Sequence, residues 1–342
     1  MQYRMLARTG IEVSSQCLGS MMFGLMGNRD HAECARMINH ALDEGINFID
    51  TADVYSRGES EEIVGKAIAS RRDDVVLATK FFNRMSGERN SRGGSRRWIM
   101  RAVEDSLRRL GTDYIDLYQA HRMDFRVDLD ETLGALTDLV RQGKVRYLGS
   151  SSFPAAWIVE AQWVAERGHL QRFVCEQPQY SVFARTAEQD VLPACRRHDI
   201  AVIPWSPLAG GWLTGKYRSE QSFPAGSRYG EGGFFSRART PEAVNEQRYE
   251  LVGRLEAVAS AAGVSLTELA LGFVGEHPAV VSTIIGPRTF EQLEAALAAA
   301  DVRLDAGTLD AIDEIVPPGV DVAGIDHGTG DRSLRDEARR RQ

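Results

Sequence analysis

Short apolar runs alternate with longer amphipathic stretches along most of the chain. Before that rhythm begins, residues 4–14 form two short alternating segments around Gly10, which predicts a hairpin. Apolar runs then fall at 17–22, 47–51, 75–80, 115–120, 145–150, 173–177, 200–205 and 280–285. Between them, 31–44, 60–69, 98–110, 131–142, 155–167 and 188–198 repeat their apolar positions at helical spacing. Two further helical stretches, 244–262 and 266–276, precede the last run, and 290–300 follows it. Eight strands alternating with helices predict a parallel sheet with right-handed crossovers. An open doubly wound sheet and a closed (β/α)8 barrel both satisfy that pattern. Two segments stand outside it. Residues 216–240 are rich in Gly, Ser, Arg and aromatics with no period, the mark of a functional loop. The polar, Gly/Asp-rich tail 319–342 predicts a surface strap, partly disordered.

The residues just past the apolar runs decide between the two sheets. Asp50 and Tyr55 follow the second run, Lys80 ends the third and His121 the fourth. Ser150, Ser151 and Ser152 follow the fifth; Gln177 ends the sixth, Trp205 and Ser206 the seventh, and Gly286 and Arg288 follow the eighth. Reactive groups therefore gather at the C-terminal end of strand after strand. In a closed barrel those ends converge on one face, where active sites of this architecture lie. In an open sheet, ends far from the switch point do not meet. The expectation is an α/β chain forming a single (β/α)8 TIM barrel over 1–342, with an N-terminal hairpin and extra helices.

Asp50, Tyr55, Lys80 and His121 together predict proton chemistry. A phenol titrates near about 10 in water, and an adjacent ammonium favours the phenolate. Tyr55 beside Lys80 is then an acid able to protonate a developing alkoxide. Asp50 holds Lys80 charged, and His121 hydrogen-bonds the carbonyl oxygen. Taken singly each has a blander reading: an ion pair, a packing tyrosine, a core histidine.

At 342 residues the chain suits one decorated barrel. Its formal charge of −7 argues against a nucleic-acid footprint, so an anionic ligand needs local cations. No run of about 18 apolar residues predicts a membrane span, and the charged N-terminus does not read as a signal peptide. Cys17, Cys34, Cys175 and Cys195 form no CxxC pattern and read as reduced thiols of a cytoplasmic protein. The histidines lack zinc-ligand spacing, so no metal is expected. Gly19, Gly24 and Gly27 have the wrong spacing for a dinucleotide fingerprint. Gly210 to Lys216 fits GxxxxGK, but Tyr217 stands where a phosphate-binding loop needs Ser or Thr.

Several phrases, taken together, resemble the aldo-keto reductase superfamily over about residues 1–300: GINFIDTADVYSRGESEEIVGKAI, VVLATK, DYIDLYQAH, YLGSSSF, EQPQY, VIPWSPLAGGWLTGKY and TIIGPRTFEQL. SPLAGGWLTGKY is most similar to the branch containing potassium-channel β subunits and related bacterial reductases. The resemblance implies NADPH-dependent reduction of aldehydes or ketones, with Asp50, Tyr55, Lys80 and His121 as the catalytic tetrad. It implies that Ser151, Ser152 and Gln177 hold the nicotinamide carboxamide and that Trp205 stacks under the ring. Ser206, Pro207, Leu208, Gly210 and Lys216 match positions around the pyrophosphate. Arg228 and Gly286 are expected at the same site, with Arg288 on the 2′-phosphate and Gln292 retained near the adenine. The family's usual Glu-Asn pair at the adenine is replaced here by Ala295 and Ala296. Expected partners are a small carbonyl substrate and a second copy of the chain, with no nucleic acid or membrane. Phe23, Phe81, Phe82 and Met123 are candidates for the substrate pocket, with a place in the core an equal alternative for each. A regulatory NADPH-binding subunit with slow turnover is the competing reading.

Overall fold

The computed structural model describes residues 1–218, 223–225, 227–230 and 242–322. The expected hairpin pairs β1 (Tyr3–Met5) with β2 (Glu12–Ser14), antiparallel. Eight parallel strands follow: β3 (Gln16–Gly19), β4 (Phe48–Asp50), β5 (Val76–Phe81), β6 (Ile115–Ala120), β7 (Val145–Ser151), β8 (Phe173–Gln177), β9 (Ala201–Val202) and β10 (Thr283–Ile285). They pair in the order β10-β3-β4-β5-β6-β7-β8-β9. The two ends of that order meet. Val202 bridges Val280, and the Ile284 N–H donates to the Pro204 carbonyl at 3.0 Å. The sheet is thus closed into a (β/α)8 barrel, as its strand ends predict.

Helices clothe the outside: α1 (His31–Asp43), α2 (Glu59–Ile68), α3 (Arg96–Leu110), α4 (Leu129–Arg141), α5 (Ala155–Gly168), α6 (Val191–Arg197), α7 (Glu242–Ala261), α8 (Leu266–Glu276), α9 (Phe290–Leu297) and α10 (Ala306–Ile315). Helix α10 is not anticipated by the sequence pattern. Asp305 caps it, accepting from the Thr308 N–H at 2.7 Å, while Gly307 in its first turn masks the helical signal. Strand β9 is shorter than the 200–205 run because Pro204 has no N–H to donate to a ladder. Among the described residues no single helix is long and apolar enough to cross a membrane.

Two apolar cores result. The larger lies between strands and helices. The smaller fills the barrel: Cys17, Phe48, Ala78, Leu117, Cys175, Ala201 and Ile203, closed at the N-terminal end by Leu6 and Val13 of the hairpin segment. Side chains two residues apart on a strand share a face. Asp50, Lys80, Gln119 and Gln177 therefore sit one layer above Phe48, Ala78, Leu117 and Cys175, all inward and all at the C-terminal mouth. Of the tail, residues 319–322 lie on the barrel, where the Val322 N–H donates to the Phe183 carbonyl at 2.9 Å. Residues 323–342, and 219–222, 226 and 231–240 of the long loop, lie outside the described residues.

Candidate active site

The polar layer at the mouth is one hydrogen-bonded unit centred on Asp50. Lys80 Nζ, fully buried, donates to Asp50 Oδ1 and to the Thr51 carbonyl, the latter at 2.9 Å. Gln119 and Gln177 each donate through Nε2 to Asp50 Oδ2 at 2.9 Å. Lys80 Nζ also donates to the Tyr55 hydroxyl at 3.3 Å. The Tyr55 and His121 rings meet edge to face with centroids 5.8 Å apart. All four residues of the implied tetrad thus converge on one point.

Their protonation follows from burial and neighbours. Burial alone would pull Lys80 down, but Asp50 and Tyr55 together outweigh it and raise its pKa above the ordinary lysine value. Burial lowers His121 well below the usual histidine range, and Lys80 and Arg122 push it further, so the imidazole is neutral. Tyr55 departs from the sequence expectation. Burial raises its pKa more than Lys80 lowers it, so the free protein holds the phenol protonated.

Beside this point lie the loops after β7 and β9. The Ser151 hydroxyl donates to the Gln177 carbonyl at 3.0 Å. Ser152, at φ +55°, accepts at Oγ from Trp205 Nε1 at 3.4 Å and Arg122 at 3.3 Å, which leaves its own proton to donate. Gln177 spends both amide hydrogens on Asp50 and Gln119, so its Oε1 is the atom left to accept. Ser151, Ser152, Gln177 and Trp205 thus lie at the mouth, with Gln177 joined directly to Asp50.

The segment after Trp205 turns repeatedly. Ser206, Ala209, Gly210, Gly211 and Gly215 all have left-handed backbone. Such turns form concave backbone whose N–H groups can hold anions. A side chain at Gly211 would meet Lys216 Nζ at 2.6 Å, so the glycine lets the lysine lie across the turn. Pro207 is buried and Leu208 half-buried within it. Arg228 reaches the end of β10, its Nη2 3.5 Å from where a Cβ on Gly286 would stand. Arg228 and Arg288 are close enough to Lys216 to lower its pKa further, after burial. Among the described residues no carboxylate forms an ion pair with Lys216 or Arg228. Arg288 and Gln292 open α9: the Arg288 N–H donates to Gln292 Oε1 at 2.9 Å. Ala295 is exposed and Ala296 buried on that helix.

Of the expected pocket residues, Phe23, Phe81 and Met123 belong to the core under the helices; only Phe82 is partly open. Phe81 follows the inward-facing Lys80 on β5, so its side chain turns outward from the barrel. The sequence reading passed over Gln119, Asn83 and Arg122. Gln119 was legible: it lies two residues before His121, on the face of β6 that turns inward.

A closed parallel barrel with its reactive side chains gathered at the C-terminal mouth is the layout of a barrel-type enzyme. The Aldo/keto reductase family model matches residues 17–317, and the chain belongs to that family. It is 40% identical to "Uncharacterized oxidoreductase YrpG" of Bacillus subtilis, covering 93% of this chain and 97% of the relative. It is 35% identical to the "Probable voltage-gated potassium channel subunit beta" of Arabidopsis thaliana, covering 92% and 97%. It is 33% identical to the "Versiconal hemiacetal acetate reductase" of Aspergillus parasiticus, covering 93% and 98%.

Proposed function

We propose that this protein reduces aldehydes or ketones to alcohols with NADPH, with Tyr55 as the proton donor. The observation that carries the reading is the buried chain from Asp50 through Lys80 to the Tyr55 hydroxyl. A nicotinamide dinucleotide bound at the mouth supplies the hydride that reaches the carbonyl carbon. The residues present fit such a group: Gln177 Oε1 and the Ser152 hydroxyl offer one acceptor and one donor to a carboxamide, and Lys216, Arg228 and Arg288 offer charge to phosphates.

As negative charge grows on the carbonyl oxygen, Tyr55 gives up its proton to it. The O–H bond of the phenol breaks as that of the alcohol forms. Lys80 stabilises the phenolate that remains, and Asp50 keeps the buried ammonium charged. His121, being neutral, contributes a hydrogen bond to the oxygen rather than a charge. Titrating tryptophan fluorescence with NADPH and NADH, then screening aldehydes and ketones for turnover, tests the reading. Binding without turnover of any carbonyl would favour the second reading, a redox-sensing subunit, which the similarity to potassium-channel β subunits supports.

A further inference from the structure

Strand β5 does not end in a relaxed loop. Phe82, the residue after it, has φ +138°, a region that strongly favours glycine. Strained backbone of this kind persists only where its surroundings impose it, and it clusters at functional sites. Here the Phe82 carbonyl is held by the Gly93 N–H at 2.8 Å, and the Phe81 carbonyl by the His121 N–H at 2.9 Å. The outcome of this twist is the placement of Asn83. Its side-chain amide lies 3.1 Å from Nδ1 of His121.

A neutral imidazole has one N–H, and the partner of one ring nitrogen decides which nitrogen bears it. The groups facing this ring are Lys80 from β5, Arg122 next along the chain and Tyr55 from beyond β4. Neither cation can accept a proton from it. His121 Nε2 makes no hydrogen bond to any described protein group, so Asn83 is the ring's one side-chain hydrogen-bond partner among the described residues.

We propose that Asn83 is a positioning residue for carbonyl reduction: its Nδ2 donates to His121 Nδ1 and so keeps the imidazole proton on Nε2. This rests on the reading of the site as a carbonyl reductase. Nε2–H is then a donor to the substrate oxygen and strengthens as charge develops there. With the amide turned over, Oδ1 would accept from Nδ1–H. Nε2 would then present a lone pair to that oxygen and repel it.

Two measurements decide the matter. The first is the proton-coupled nitrogen spectrum of the full chain labelled in histidine, with the His121 signals identified by their loss in His121→Ala. A protonated Nε2 and a bare Nδ1 are expected, and Asn83→Asp should move the proton to Nδ1 or charge the ring. A protonated Nδ1 in the unaltered protein would overturn the proposal. The second is a double-mutant cycle. Asn83→Ala should lower kcat roughly tenfold, the worth of one hydrogen bond, with the NADPH dissociation constant unchanged. The same substitution in His121→Ala should cost nothing more. Equal losses in both backgrounds would mean that Asn83 acts through the fold and not through His121. If the unaltered protein reduces no carbonyl compound, the functional reading fails, and the spectrum alone still decides the Asn83 contact.

Discussion

Gln177 reaches across the barrel mouth to Asp50, 127 residues earlier in the chain, donating from Nε2 to Oδ2 at 2.9 Å. In the closed order of strands, β8 and β4 stand opposite one another. The contact therefore links the carboxylate that holds Lys80 to the loops expected to hold the nicotinamide. It also fixes the rotamer of Gln177, so that Oε1, and not the amide nitrogen, is offered to a ligand.

Tyr55→Phe keeps the ring against His121 and removes only the hydroxyl. Carbonyl reduction should fall by orders of magnitude while NADPH affinity stays near that of the unaltered protein, as befits a contact made only in the transition state. Steady-state kinetics and a fluorescence titration measure both. Turnover near the original rate would remove Tyr55 from the proposed role.

Asp50→Asn should shift the pH profile. Burial lowers the pKa of Lys80, and Asp50, with Tyr55 after it, raises it; without Asp50 the balance moves toward burial. If Lys80 must be charged, the alkaline limb of kcat/KM moves to lower pH. Breaking a buried pair also leaves a charge without its counter-ion, which costs about 3–5 kcal/mol, so Tm should drop as well. An unmoved alkaline limb in a folded variant would show that Lys80 does not set it.

Arg288→Ala should discriminate between cofactors. NADPH carries an extra phosphate that a net negative chain does not attract without local cations. Losing a charge-assisted contact of roughly 1.5–3 kcal/mol corresponds to about a ten- to hundredfold weaker NADPH complex. NADH binding should barely change. Parallel losses for both cofactors, measured as dissociation constants, would refute a phosphate-specific role.

Glu176 makes stability depend on pH. Its side chain is fully buried behind the serine loop, bonded by the Ser150 hydroxyl and the Phe153 N–H. Burial raises its pKa from 4.5 to about 7. A carboxyl with a raised folded pKa contributes stability that is fully present below its unfolded pKa and is lost as pH rises through the folded value. The loss between pH 4.5 and 7 is roughly 3 kcal/mol at the outside. Glu176→Gln keeps an acceptor and a donor in place, so thermal melts should show a smaller fall in Tm from pH 5 to pH 8. An identical fall in both proteins would locate the dependence elsewhere.

Much of this molecule is legible along the chain. The alternation of apolar runs and amphipathic stretches determines eight parallel strands, because each strand must be covered by the helix that follows it. Reactive residues at successive strand ends favour closure, since only closure brings Asp50, Lys80, His121 and Gln177 to one face. The expectation that Lys216 and Arg288 serve phosphates comes from the resemblance to the family, not from the order of the chain. Other features are settled only by three-dimensional packing. Phe81 and Phe82 are adjacent and alike in sequence, yet one is sealed under the helices and the other is strained at the mouth. Which is which depends on the turn of β5 into its loop. The acidity of Tyr55 is a competition between burial and Lys80, and a sequence shows the lysine but not the depth of burial. The partners of Asp50 lie 30, 69 and 127 residues away, and the bond from Asn83 to His121 spans 38. Side-chain contacts at those separations exist only once the barrel has closed, because closure alone sets which inward-facing groups lie within hydrogen-bond reach.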